Sequence, residues 1–410
     1  MVKKIIYWSL YDFANSIVLM AFLFYFSQWL VIDRGQPAWW YNFSLIISSV
    51  LFLITAPKAS HLIDQTGKKI KGLRWWTIMS FIGFTATALM TVLVSGFELL
   101  TTTFYTLAMY AYLMCFLYFT PMLNDLSRSS NRSWISGLGQ GANSIGQVTG
   151  VLVTLPFVNG LTLLGEPGRA QALLPAIILF SLFSLPILIF YRENTFLTPP
   201  KNNLPPNSLN LLKIIWSYRP LAFMLIAYFL FSDTLITFAN NFPLYLETIH
   251  GVSDTIKSLL TAMILVLAAI GAVIFGRLAD KKGEVKILTW IIIAWCVIFP
   301  AMALITNFYF LIPVFLVAGL LFGPVWGISR SLVGQLAPTN LVASSYSYYV
   351  IAERFATFIG PGIWSLALIT AGEGVRGYQT GLFFLTILLV ISLIFLKQIN
   401  RKYKLIEKRV

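Results

Sequence analysis

Four ionisable residues lie inside long apolar stretches of this 410-residue chain: Asp12, Asp233, and the adjacent pair Glu353 and Arg354. A charge at the centre of a bilayer costs at least about 2.5 to 3.5 kcal/mol, so such a residue is a functional candidate by default. A carboxyl group can escape that cost by taking a proton, whereas a guanidinium cannot. Asp233 first, and Glu353 second, are therefore candidate proton carriers. Arg354 must meet a carboxylate of the protein, a carboxylate of a bound solute, or water. Neighbours on a helix point about 100° apart, which predicts that Glu353 and Arg354 face different partners.

Asp12 and Asp233 read as counterparts. Tyr7 and Tyr228 each precede the Asp by five residues, and Ser16 and Thr237 each follow it by four. Asp233 lies deep in its stretch. Asp12 is about 7 Å into its own, which suits either a working carboxylate or an interfacial one, and Asn15 follows it on the same helix. A second polar set, Ser136, Gln140, Asn143 and Gln147, is spaced by four, three and four residues and so occupies one helix face. Amides placed this way either bond to a neighbouring helix or line a wet cavity.

The elements that position these groups must be membrane helices. With 58% hydrophobic and 11% charged residues and a mean hydropathy of +0.79, the chain has more apolar surface than one soluble core can hide. Twelve apolar spans are expected, at 7–31, 41–59, 75–96, 101–122, 134–157, 173–191, 219–245, 256–277, 287–306, 309–328, 344–369 and 377–397. Each is long enough to cross about 30 Å of hydrocarbon. Pro199, Pro200, Pro205 and Pro206 block regular helix between the sixth and seventh spans. The expected organisation is a six-helix lobe (1–192), a linker (193–218) and a second six-helix lobe (219–410).

The net charge of +14 reports orientation. With both termini in the cytoplasm, 24 of the 29 Lys and Arg residues fall on the cytoplasmic side. No nucleic-acid partner is expected. The long apolar run after Lys3 and Lys4 carries Asp12 and lacks an A-x-A-like site, which predicts a retained first helix. Cys115 and Cys296 lack a CxxC or His partner, His61 and His250 stand alone, and no phosphate loop occurs, so neither metal, cofactor, enzyme activity nor an ATP-driven pump is expected.

Two loops echo each other: Ser60-His-Leu-Ile-Asp64-Gln-Thr-Gly67-Lys68-Lys69 and Gly276-Arg-Leu-Ala-Asp280-Lys-Lys-Gly283. Repetition at the same point of each half implies a duplicated bundle. Gly67 and Gly283 permit tight turns, while Asp64 and Asp280 can pair with an Arg or cap a helix N-terminus. The loops resemble the signature loop of the major facilitator superfamily, with Ser60, Gln65 and Glu284 departing from the usual pattern. The resemblance implies an all-α membrane fold of two pseudo-symmetric six-helix lobes, a central site, and alternating access latched by these loops together with Arg330. It also implies that the fifth and eighth spans meet, where Gly137, Gly141, Ala268, Ala272 and Gly276 give smooth seams.

A narrower resemblance rests on Ser9-Leu-Tyr11-Asp12-Phe-Ala-Asn15-Ser16, Ala227-Tyr-Phe-Leu-Phe-Ser-Asp233-Thr, Ile135-Ser-Gly137-Leu-Gly139, and Ser329-Arg330-Ser331-Leu332 with Gly360-Pro361. These segments are similar to the branch of fungal vacuolar amino-acid effluxers and their bacterial relatives, although Thr234, Ile236, Asn143 and Ser144 differ from it. The branch implies movement of small polar solutes, amino acids first, by a monomer in a bacterial inner membrane. The driving force is either protons or the solute's own gradient. Tyr11, Phe13, Phe322 and Trp326 keep open the export of amphiphilic compounds such as drugs or siderophores. A transport-inactive receptor or assembly factor on the same scaffold is the reading from another class.

Overall fold

The computed structural model describes residues 1–193, 208–355, 359–372 and 374–407. Pro199 to Pro206 of the expected linker, and the basic Lys408 and Arg409, lie outside the described residues. The described residues are helical throughout, with no strand among them. Eleven stretches are long and apolar enough to cross a membrane. The fifth expected span, α6 (Arg132–Val158), is 27 residues long but is not one of the eleven, because Asn143 and Gln147 dilute its hydropathy. Side chains such as Phe310 and Ile369 are 71% and 80% exposed, which is tenable only where the surroundings are lipid.

Residue contacts divide the chain into two compact units, Met1–Leu126 with Ala142–Ser208, and Ser127–Gly141 with Leu209–Val410. Residues 127–141, which the sequence places with the first six helices, thus group with the second unit. The first unit contains α1 (Val2–Ala21), α2 (Ala38–Thr66), α3 (Ile70–Leu93), α4 (Glu98–Phe119), the single turn α5 (Met122–Leu126), the later part of α6 and α7 (Leu173–Phe190). Helical backbone continues beyond α1 through π-helical turns to Asp33. Here α1 packs on α7, and α4 packs on both α2 and α3. Gly146 and Gly150 of α6 lie so close to the Phe13 and Ile17 carbonyls that a side chain there would collide with α1.

The second unit contains the start of α6, then α8 (Ser208–Ser217), α9 (Arg219–His250), α10 (Asp254–Lys282), α11 (Glu284–Leu304), α12 (Phe308–Leu336), α13 (Val342–Phe355), α14 (Ile359–Ala371) and α15 (Val375–Glu407). The eleventh expected span, 344–369, is described as two helices, α13 and α14, with 356–358 outside the described residues. The twin turns form as expected from their glycines. Gly67 (φ 68°) and Gly283 (φ 96°) adopt positive φ, and their N–H groups close on the Ile63 and Ala279 carbonyls at 2.8 Å each.

The expected small-residue seams are also present, and α10 carries two of them. Along one face, Gly271 meets the Leu320 backbone and Ala268 the close-packed Gly323 of α12. Along the other, Ala269 and Ala272 lie against Gly141 and Gly137 of α6, and Gly276 against the Ser133 carbonyl. Without a hydrophobic drive between helices in lipid, such backbone proximity supplies the packing that holds them together. Gly271→Leu is expected to destabilise the purified protein by about 1 to 3 kcal/mol, the usual cost of overpacking. Thermal unfolding checks this, with Gly362→Leu, which has open space around it, as the comparison.

Candidate functional site

In the second unit, α9 presents Tyr228, Asp233 and Thr237, α13 presents Glu353 and Arg354, and α14 presents Gly360. Asp233 is 1% exposed. Its Oδ2 accepts the Gly360 N–H, and its Oδ1 has no hydrogen-bond partner among the described residues. Gly360 lies near the start of the described part of α14, and its N–H is directed at the Asp233 carboxylate. A Cβ at Gly360 would strike the Thr237 hydroxyl and the Asp233 carboxyl carbon, so the approach requires glycine.

Glu353 is engaged differently. The Tyr228 hydroxyl donates to its Oε2 at 2.7 Å, and the Tyr228 ring stacks on Tyr349 with centroids 4.2 Å apart. Arg354 Nη2 lies 3.3 Å from Glu353 Oε1. This corrects the expectation that the two neighbours face different partners. Their Cα–Cβ bonds diverge, but the long arginine stem curls back to the nearest carboxylate, since an ion pair is worth more away from bulk water. The Arg354 side chain remains 30% exposed. Gln140 packs in the same unit, its Cβ facing Gly327 of α12.

In the first unit, Asp12 accepts from Asn143 Nδ2 at 3.1 Å, and Asn143 Oδ1 accepts from Gln147 Nε2 at 2.8 Å. Asp12 is 1% exposed, so its carboxylate is enclosed by the protein. Asn15 is fully buried one turn along α1. Tyr11 bonds to the Thr77 hydroxyl at 2.6 Å and packs on Phe119, so its ring belongs to the interior of this unit. The α6 stripe is therefore divided. Ser136 and Asn143 bond to neighbouring helices, while Gln140 and Gln147 are half-buried.

The second loop is a clamp on the first turn of α6. Asp280 accepts the Ser133 and Trp134 N–H groups at 2.9 and 2.8 Å, which is the capping role its sequence allows. Arg277 lies over the Trp134 ring at 5.0 Å. Arg330, 6% exposed, donates to the Ser136 hydroxyl at 3.0 Å and the Ser136 carbonyl at 2.9 Å.

Sequence reasoning missed Glu284 as a member of this group. It is buried, accepts the Ser133 hydroxyl at 2.6 Å, and also accepts the Ser331 hydroxyl. The signal was its departure from the basic run of the loop.

The first loop has other partners. Asp64 is half-buried at the end of α2, and Lys68 is exposed. Lys69 pairs with Asp125 at 2.6 Å, and Glu193 accepts the N–H groups of Lys69 and, at 2.7 Å, Ile70 at the start of α3. Asp125 and Glu193 were not among the expected residues. Two departures from the loop pattern are also accounted for. Ser60 is fully buried with its hydroxyl on the Pro57 carbonyl at 3.0 Å, and Gln65 bonds to His61 at 2.9 Å.

Membrane-length helices holding buried carboxylates and amides define a polytopic membrane protein. The family model of the Major Facilitator Superfamily matches residues 5–361, and again 224–405, and the chain belongs to that superfamily. It is not an enzyme. It is 24% identical over 416 residues to the MFS-type transporter YxiO of Bacillus subtilis (strain 168), covering 95% of this chain and 93% of that one. It is also 24% identical over 204 residues to Autophagy-related protein 22-2 of Neosartorya fischeri, covering 46% of this chain and 33% of that one.

Two solved structures share the fold. One is a bacterial homologue of the iron transporter ferroportin in an outward-facing state, with a TM-score of 0.75 at 14% identity over 97% of this chain and 99% of that chain. The other is the Escherichia coli fucose:proton symporter FucP, with a TM-score of 0.73 at 14% identity over 97% of each chain.

The Asp280 clamp makes a local prediction. Asp280→Ala removes both acceptors from the first turn of α6, at a cost of about 0.5 to 2 kcal/mol. Amide exchange at Ser133 and Trp134 is expected to accelerate roughly 2- to 30-fold while the far end of α6 is unchanged. Hydrogen-exchange mass spectrometry reads this directly, and unchanged exchange at the two amides removes the clamp.

Proposed function

We propose that the chain moves small polar solutes, amino acids first, by a proton-linked alternating-access cycle. The observation that carries the proton link is the contrast between the two carboxylates of the second unit. Glu353 is engaged by Arg354 and Tyr228, whereas Asp233 has one oxygen on a backbone N–H and the other without a partner among the described residues. A proton on Asp233 Oδ1 removes an unmatched buried charge, so the carboxyl not paired with Arg354 is the better carrier. The partly exposed Arg354 suits a solute carboxylate. In the first unit, Asp12 with Asn143 and Gln147 offers the acceptor that an ammonium group needs.

The amino-acid class follows from the branch resemblance of the sequence. Full-length similarity to an MFS-type transporter supports the transport role. Lobes at 1–192 and 219–410 joined by 193–218, cytoplasmic termini in a bacterial inner membrane, function as a monomer, and loops acting as latches complete the proposal. Of the four aromatics behind the reading as an exporter of amphiphiles, Tyr11 is buried within its own unit, whereas Phe13, Phe322 and Trp326 are half-buried and keep that reading as the alternative.

Proteoliposome flux tests the proton link. Counterflow with labelled amino acids first identifies a transported solute. Asp233→Asn is then expected to abolish uptake driven by a pH gradient and to spare exchange at equal pH, which needs no net proton movement. Glu353→Gln is expected to retain gradient-driven uptake. Wild-type flux indifferent to the gradient, or full gradient-driven uptake by Asp233→Asn, replaces this cycle with uniport down the solute's own gradient.

A further inference from the structure

A cleft of about 310 Å³ opens in the first unit where α2 ends and α3 begins, away from the buried carboxylates. Lys71, Gly72 and Trp75 of the first turns of α3 line it, with Lys68 of the preceding turn beside them. Leu62 and Thr66, a turn apart, line it from α2. Tyr118 of α4 forms the floor, and its ring lies so close over Gly72 that no side chain fits there.

The lining is divided by chemistry. Leu62 and Trp75 are 56% and 59% exposed, and they sit on the membrane-crossing helices where lipid is the surrounding solvent. The hydroxyl of Thr66 and the two ammonium groups stand at the helix ends, and no Asp or Glu lines the cleft. The three lysines of this turn have separate fates. Lys69 is neutralised by Asp125, whereas Lys68 and Lys71 are exposed and form no ion pair among the described residues. Two unmatched cations above an apolar, tryptophan-bearing wall at the membrane border complement a phosphate group carried on acyl chains.

We propose that this cleft binds an anionic phospholipid, its phosphate between Lys68 and Lys71 and its first acyl carbons against Trp75 and Leu62. A zwitterionic headgroup brings its own cation and finds no carboxylate in the lining to receive it. Lys68 also belongs to the loop proposed as a latch, so the site is read by lipid retention, which does not depend on transport.

Native mass spectrometry of the purified full-length protein, titrated separately with phosphatidylglycerol and phosphatidylcholine, provides the test. Wild type is expected to retain phosphatidylglycerol well above phosphatidylcholine. Lys68→Gln/Lys71→Gln is expected to lower phosphatidylglycerol retention about thirtyfold, from two surface lysines acting together. Lys3→Gln/Lys213→Gln removes the same charge from exposed positions elsewhere and is expected to leave retention unchanged. Thermal unfolding confirms that both double variants are folded. Equal retention of the two lipids by wild type, undiminished retention by Lys68→Gln/Lys71→Gln, or an equal loss in the comparison pair overturns the site.

Discussion

Pairing between a buried or half-buried acid and backbone N–H groups joins separate helices of this protein. Asp280 holds the first turn of α6, Glu193 holds the first turn of α3, and Asp233 takes the Gly360 N–H of α14. The early N–H groups of a helix have no acceptor of their own, and the helix dipole adds a partial positive charge at the same place. In surroundings poorer in water than a soluble surface, both terms grow. Each acid and helix end therefore solves the other's problem. Small residues make the approach possible: Gly276 lets α10 reach the Ser133 carbonyl, and Gly360 lets α14 reach Asp233.

The other buried or half-buried acids are matched by side chains, and this difference separates fixed parts from adjustable ones. Asp12 depends on the Asn143 amide, which is itself held by Gln147. Glu353 depends on the Tyr228 hydroxyl and the Arg354 guanidinium. Side-chain donors change partner by rotating, without unwinding a helix. Asp233 fits neither mode fully, with one oxygen anchored to a backbone N–H and the other without a hydrogen-bond partner among the described residues. That asymmetry distinguishes it from Glu353 more sharply than depth in the span does.

Much of the fold was legible because lipid imposes simple rules. Span lengths, the two turn glycines and the small-residue faces of α6 and α10 follow from composition and period, and the structure forms them. The capping role of Asp280 was legible as a possibility, since an Asp beside a turn has few other uses. The partners themselves were not legible. Whether Arg354 meets Glu353, Asp12 or Asp233 depends on how a flexible stem folds back, and helical angles between Cβ atoms do not determine it. The enclosure of Asp12 was not legible from its place along the sequence, because it comes from α6 packing on α1 through Gly146 and Gly150. Glu284 appeared only as a break in a basic run, because its serine partners are 151 and 47 residues away.

The twin loops show how far duplication carries. Both copies keep the glycine turn, which is a backbone requirement and tolerates few alternatives. Their charges have diverged in use. In the second copy Asp280 and Glu284 both reach Ser133, so two acids converge on one helix start, and Arg277 and Arg330 add contacts to Trp134 and Ser136 of the same segment. In the first copy a lysine makes the ion pair to Asp125, the helix-start acceptor comes from Glu193 far along the chain, and two lysines are left facing an apolar cleft. The shared turn pattern thus closes around a helix start in one unit and borders a lysine-bearing cleft in the other. The divergence lies in residues outside the loops, at Ser133, Ser331, Asp125 and Glu193, which is why comparing the two loop sequences alone suggests a symmetry that their interactions do not have.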